Sequence, residues 1–222
     1  MNFDISSAAG ETVETPIGKL KIIKFLGKGK SGYSYLAKRG EESFVLKLMH
    51  YEEVSCYSFD DANKVDLEAE AYRTLISLGI SVPRLYLSVP EEHYLIKEFI
   101  DGPVATDFIK EELLSPAILK QLFEMSSRLE SKGINIDYFP NNFVLNGDKL
   151  YYIDYEINTY KEDWNLENWG IWYWANSRGM KLFGETGDAS HINADPDKGL
   201  PHKEPFRTVI EEWINTYSSA KK

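Results

Sequence analysis

The 222-residue chain holds one cysteine, Cys56. That excludes an intrachain disulfide and any cysteine-cluster zinc site, and Cys56 reads as a small buried or half-buried side chain. The four histidines, His50, His93, His191 and His202, have no metal-ligand spacing and read as surface or capping residues. No apolar run approaches the roughly 20 residues that span a bilayer. The opening stretch MNFDISSAAGETVETP lacks the basic and apolar regions of a secretory signal, so a soluble, cytoplasmic protein is expected. Basic side chains are also in deficit, with 25 Lys and Arg against 35 Asp and Glu and a net charge of −10. That balance argues against nucleic acid or an anionic membrane as main partner. Internal repeats and low-complexity tracts are absent.

What is present changes character midway. Residues 19–26, 33–37, 43–49, 84–89 and 93–100 read as strands, with a helix over about 64–79 ended by Gly79 and Pro83. An aperiodic acidic loop is expected at 51–62. After the DGP break at 101–103, residues 104–132 read as helical, with Leu119, Leu122, Phe123, Met125 and Leu129 as the apolar set. GINIDYFPNN reads as a loop, FVLNGDKLYYID as a hairpin about an Asn-Gly turn, and the chain from about 157 as helical with a polar loop at 187–201. The fold class expected is α+β: an N-terminal lobe over 1–100, an antiparallel sheet with one helix, and a mainly helical lobe over 101–222.

KFLGKGKSGYSYLA, residues 24–37, spells G-x-G-x-x-G with Gly27, Gly29 and Gly32. A dinucleotide fingerprint needs a helix after the third glycine, but YSYLA alternates as a strand does. A phosphate loop of the Walker type needs a Gly-Lys-Ser/Thr ending, which is missing. What remains is a plain hairpin turn or a strand–loop–strand flap of the kind that covers ATP phosphates.

Lys47 lies inside the apolar strand SFVLKLM, where an ammonium is costly unless paired. It is either a snorkelling edge lysine or a phosphate-binding one. Within the following helix, Val65, Glu68, Tyr72, Leu75 and Ile76 share a stripe, whereas Glu70 falls with Asp66, Arg73, Thr74 and Ser77. Glu68 is therefore the carboxylate expected to meet Lys47. Further on, Asp137 and Asn142 are five apart around Pro140, and Asp154 ends the hairpin's second strand. A turn-rich loop before a hairpin is one reading of that set. A base, an amide and an acid arranged for metal-assisted phosphoryl transfer is the other.

With these residues the chain resembles the protein-kinase-like phosphotransferase superfamily over about residues 20–160. IDYE at 153–156 is similar to the metal motif of choline kinases and aminoglycoside phosphotransferases. The resemblance implies a bilobal kinase-like fold and ATP and Mg²⁺ as cofactors. Gly27, Gly29, Ser31 and Gly32 would cover the phosphates, and Lys47, oriented by Glu68, would contact them. The backbone from Glu98 to Ile100 would meet adenine, Asp137 would take the acceptor proton, and Asn142 and Asp154 would hold the metal. The partners implied are a nucleotide and a hydroxyl-bearing acceptor, a small molecule rather than a protein. A minimal protein Ser/Thr kinase and a non-catalytic nucleotide-binding module are the rivals.

Departures accompany the resemblance. Asn135 and Ile136 stand where His or Arg usually precedes the catalytic Asp, and Phe139 stands where Lys or His is common. Lys97 occupies a normally apolar position and competes on paper for Glu68. The tail EDWNLENWGIWYWAN offers two readings. One is a cation-binding box from Trp164, Trp169, Trp172 and Trp174 with Glu162, Asp163 and Glu167. The other is a core face of Trp169, Trp172 and Tyr173 under the catalytic loop.

Overall fold

The computed structural model describes residues 9–50 and 63–218. Cys56 and the loop expected at 51–62 lie outside those residues. The chain divides into two compact units, Met1–Thr74 with Pro83–Phe99, and Leu75–Val82 with Ile100–Lys222. The α+β class expected from the sequence is what the structure has, sheet first and helices later.

The first unit is a six-stranded antiparallel sheet of β1 (Thr12–Thr15), β2 (Gly18–Lys28), β3 (Gly32–Arg39), β4 (Glu42–Met49), β5 (Leu85–Val89) and β6 (Tyr94–Glu98), in the order β1-β2-β3-β4-β6-β5. β1 falls in the polar N-terminal stretch, where the sequence carried too little apolar alternation to mark a strand. One face gathers Leu20, Ile22, Tyr35, Ala37, Phe44, Leu46, Tyr94 and Ile96 into a core. Because side chains alternate along a strand, Val45, Lys47 and Met49 of β4 point to the opposite face. There α1 (Lys64–Ser77) packs, with Val65 against Met49 and Leu95. Val65, Glu68 and Leu75 are buried as the helical stripe predicts, and Glu70, Asp66, Arg73 and Ser77 are exposed. Ile76 departs from the stripe and is 48% exposed, because the helix ends one residue later and Ile80 and Val82 take over the burial.

In the second unit the helix expected over 104–132 is two helices, α2 (Ala105–Lys110) and α3 (Pro116–Glu130). Pro116 disfavours helix at the residue before it, and Ser115 accepts the Ile118 N–H as N-cap. Glu112, at φ 58°, turns the chain between them. The apolar set of α3 is buried as expected. β7 (Ile134–Asn135) leads into the loop that carries Asp137, and β8 (Phe143–Asn146) pairs with β9 (Lys149–Tyr152) across the predicted turn. The region from 157 begins not with helix but with β10 (Asn158–Thr159), which pairs with β7, and a 3-10 turn at Glu162–Trp164. A π-helical turn at Leu166–Gly170 then enters α4 (Ile171–Ala175) and α5 (Ser177–Thr186). The polar 187–201 stretch holds a small hairpin, β11 (Asn193–Asp195) with β12 (Leu200–Pro201), before α6 (Arg207–Tyr217). No helix among the described residues is long and apolar enough to cross a membrane.

Candidate active site

The face of β4 that carries Met49 against Val65 also carries Lys47, and one helical turn beyond Val65 stands Glu68. The packing therefore brings the two charges together. Lys47 Nζ lies 2.5 Å from Glu68 Oε1, with both side chains over nine-tenths buried. The same oxygen accepts the Ser31 hydroxyl at 2.8 Å, which ties the glycine loop to α1. Among the described residues Glu68 Oε2 is buried with no hydrogen-bond partner. Taking this carboxylate out of water is offset by one short charge-assisted bond and one hydroxyl on a single oxygen.

The glycines of the loop divide by role. A Cβ at Gly32 would stand 2.5 Å from the Leu48 carbonyl oxygen, so only glycine lets β3 approach β4 there. At Gly27 a Cβ would meet nothing within 4 Å, and at Gly29 only the Gly32 carbonyl at 3.7 Å. Both glycines therefore present an open Cα face, while the Gly29 N–H itself donates to the Gly32 carbonyl at 2.9 Å.

Two further residues join this half-site, and the sequence reading missed both. His50 is buried rather than superficial, its Nε2 3.0 Å from the Gly29 carbonyl and its ring 5.0 Å from that of Tyr33. Its backbone N–H donates to the Ser31 carbonyl. Lys64, at the start of α1 and one turn before Glu68, is buried and donates to the His50 carbonyl at 2.5 Å. Burial pushes its pKa down, Glu68 opposes that, and Lys47 adds to it. Lys64 sits in the apolar-stripe register four residues before Glu68, and that spacing was the available signal.

Glu98 closes β6. Its N–H bonds the Arg84 carbonyl at 2.8 Å and its carboxylate accepts the Arg84 N–H at 3.0 Å, so the amide is already engaged in the sheet. Lys97 is buried beside Val45 and Leu85. Ile100 is buried as well and belongs to the second unit.

In that unit Asn142 is bonded to Asp137 and to Ile153, the residue before Asp154. The Asp137 carboxylate accepts the Phe139 N–H at 3.0 Å. Asn142 Nδ2 donates to the Asp137 carbonyl at 3.2 Å, and the Asn142 carbonyl accepts the Ile153 N–H at 2.8 Å. Asp154 Oδ1 accepts the N–H of Tyr155 at 2.9 Å. Tyr152, fully buried, lies within the field of Asp154, Glu156 and Asp137. Burial first, and then those three carboxylates, push its pKa well above the usual tyrosine value. The phenol therefore stays neutral and donates to the Glu156 carbonyl at 3.0 Å.

The donor set suits a hard divalent cation. Asn142 commits its amide nitrogen to Asp137, which leaves the amide oxygen to act as a ligand, and Asp154 supplies carboxylate oxygen. No group of three or more His, Cys, Asp or Glu among the described residues is arranged to hold a metal.

The aromatic tail supports this loop from below. Trp174, 1% exposed, donates its Nε1–H to the Tyr138 carbonyl at 2.9 Å. Phe139 stacks edge-on against Tyr173 at 5.0 Å and near Phe183 at 6.5 Å. Asn135 and Ile136 are buried, Asn135 Nδ2 donating to the Lys161 carbonyl. Asn135, Ile136 and Phe139 thus have packing or bracing roles here. Trp172 and Trp174 are core residues, as the core-face reading requires for Trp172; Trp169 is half-buried and Trp164 exposed.

No family model matches the chain, and no curated protein matches it. Among solved structures it is similar to one described as the structure of vaccinia related kinase 3, at 15% identity and a TM-score of 0.40. That match covers 66% of this chain and 50% of the other, so the chain spans about half the length of the structure it resembles.

Proposed function

We propose that the chain is a phosphotransferase of the protein-kinase-like type that moves the γ-phosphate of ATP to a hydroxyl on a small-molecule acceptor. The observation that carries this reading is the buried Lys47–Glu68 pair with Ser31 of the glycine loop on the same carboxylate oxygen. A lysine fixed by a buried carboxylate beside open glycine backbone is a preorganised cation for phosphate oxygens, and such preorganisation is the main source of rate in phosphoryl transfer.

In this reading Lys47 contacts the α- and β-phosphates while Glu68 fixes its position. The open backbone at Gly27 and Gly29 approaches the phosphates, and the carbonyl of Glu98 with the backbone at Ile100 meets adenine. Asp137 takes the proton of the acceptor hydroxyl, one of its oxygens held by the Phe139 N–H so that the carboxylate has a fixed orientation. Asn142 and Asp154 hold Mg²⁺, which when bound neutralises charge on the phosphate oxygens. The IDYE motif at 153–156 favours a small-molecule acceptor over a protein.

Phe139, locked in a ring stack where a cation is common, favours a second reading: a nucleotide-binding module without turnover. A screen of labelled ATP and Mg²⁺ against metabolite hydroxyls and a generic protein substrate separates the readings. Transfer to a metabolite that Asp137→Ala abolishes while ATP binding persists supports the proposal. Transfer to protein alone selects a minimal protein kinase. ATP-dependent thermal stabilisation with no transfer to any acceptor selects the module.

A further inference from the structure

A cleft of about 1010 Å³ opens in the second unit between residues 162–169 and the hairpin of β11 and β12. Trp164 and Leu200, two large apolar side chains that remain 41% exposed, both line it. The Trp164 ring lies 5.4 Å from that of Trp169, and Trp169 is fixed by donating its Nε1–H to the Gly199 carbonyl at 2.8 Å. The apolar wall is therefore rigid and built from both sides of the cleft. Glu162 and Asp163 are exposed at its rim, and among the described residues neither carboxylate is paired with a cation. The other acid of the rim, Glu204, is paired with Arg207 at 2.8 Å, and Lys203, which also lines the cleft, has its ammonium over the Trp172 ring.

We infer that this cleft docks an extended segment of another protein that carries arginine or lysine beside an apolar side chain. The apolar residue covers Trp164 and Leu200, and the cation meets Glu162 and Asp163 while lying against an indole face. The chain gives an internal precedent, since Lys203 Nζ stands 5.1 Å over the Trp172 ring. A second copy of this chain is a poor occupant, because each copy carries a net charge of −10. The size of the cleft exceeds what a lone ammonium group fills, and its apolar wall needs an apolar occupant. The wall also continues inward: Trp169 contacts Tyr173 at 5.1 Å, and Tyr173 contacts Phe139 of the Asp137 loop at 5.0 Å. The inference does not rest on the phosphotransfer reading, and its test reads binding alone.

The full-length chain is titrated with a fluorescein-labelled decapeptide of alternating arginine and leucine, and with the same peptide carrying glutamate for arginine. Saturable binding of the arginine peptide is expected, with Trp164→Ala and the pair Glu162→Gln/Asp163→Asn each weakening it at least about tenfold, roughly the loss of one interface anchor. The pair Glu91→Gln/Glu92→Gln removes the same net charge elsewhere and is expected to leave affinity within about twofold. Unfolding midpoints of all variants show whether each remains folded. Equal losses in both charge pairs, full binding by Trp164→Ala, binding of the glutamate peptide, or complete displacement by ethylammonium would each overturn the inference.

Discussion

The Ser31 hydroxyl donates to Glu68 Oε1 at 2.8 Å, the oxygen that also receives Lys47 Nζ at 2.5 Å. One carboxylate oxygen thus joins the tip of the glycine loop, the middle of β4 and the first half of α1. The loop is held from a second direction by His50, through Gly29 and Ser31 carbonyls.

Ser31→Ala removes a hydrogen bond to a charged acceptor, which contributes about 1.5–3 kcal/mol when well formed. The loop is expected to open locally while the sheet stays intact. Hydrogen exchange should quicken at residues 28–32, with little change in β5 and β6. Unchanged exchange in the loop would show that His50 alone fastens it.

Lys47→Met leaves Glu68 buried with the Ser31 hydroxyl on its oxygen and Lys64 as the nearby cation, a loss of about 3–5 kcal/mol of stability. The double variant Lys47→Met/Glu68→Leu removes both charges and is expected to recover most of that loss. Denaturant unfolding of the two singles and the double gives the coupling energy. Additive losses would mean that the pair is not coupled in the folded chain.

Tyr138, Tyr152 and Tyr173 all have pKa values pushed above the ordinary tyrosine value of 10.0, in each case mainly by burial. The folded chain therefore keeps these phenol protons after the unfolded chain has released them. Their contribution is complete below pH 10 and falls as pH rises from there toward the folded-state values. Lys64 acts in the opposite sense, since its lowered folded pKa makes stability rise with pH up to the ordinary lysine value of 10.5. Unfolding free energies measured from pH 9 to about 12 should fall beyond pH 10. Tyr173→Phe should flatten that fall, and Lys64→Met should remove the opposing rise.

Gly170 lets the turn before α4 approach the Asp137 loop, because a Cβ there would lie 2.3 Å from Tyr138 Cβ. Gly170→Ala must displace Tyr138, whose carbonyl anchors Trp174. A loss of about 1–3 kcal/mol is expected, typical of overpacking. Near-ultraviolet circular dichroism should change with it, as the Trp174 environment shifts. A wild-type spectrum and stability would mean that the turn relaxes without moving the loop.

Much of the local structure around the candidate residues was legible in the sequence because it rests on local pattern. Strand alternation at 43–49 put Lys47 on one face of β4, and helical periodicity put Glu68 rather than Glu70 on the buried stripe of α1. The glycine spacing followed by YSYLA excluded a dinucleotide turn, and the order of Asp137, Asn142 and Asp154 marked a loop and hairpin. Each follows from the two- or 3.6-residue repeat of the backbone, which the chain carries without any partner. Tertiary structure decided what depends on neighbours distant in sequence. It buried His50 and Lys64 around the glycine loop and exposed Ile76 where α1 stops. It also divided the tryptophans, sending Trp172 and Trp174 into the core and leaving Trp164 at a cleft, because an indole's burial depends on what packs against it and no repeat encodes that.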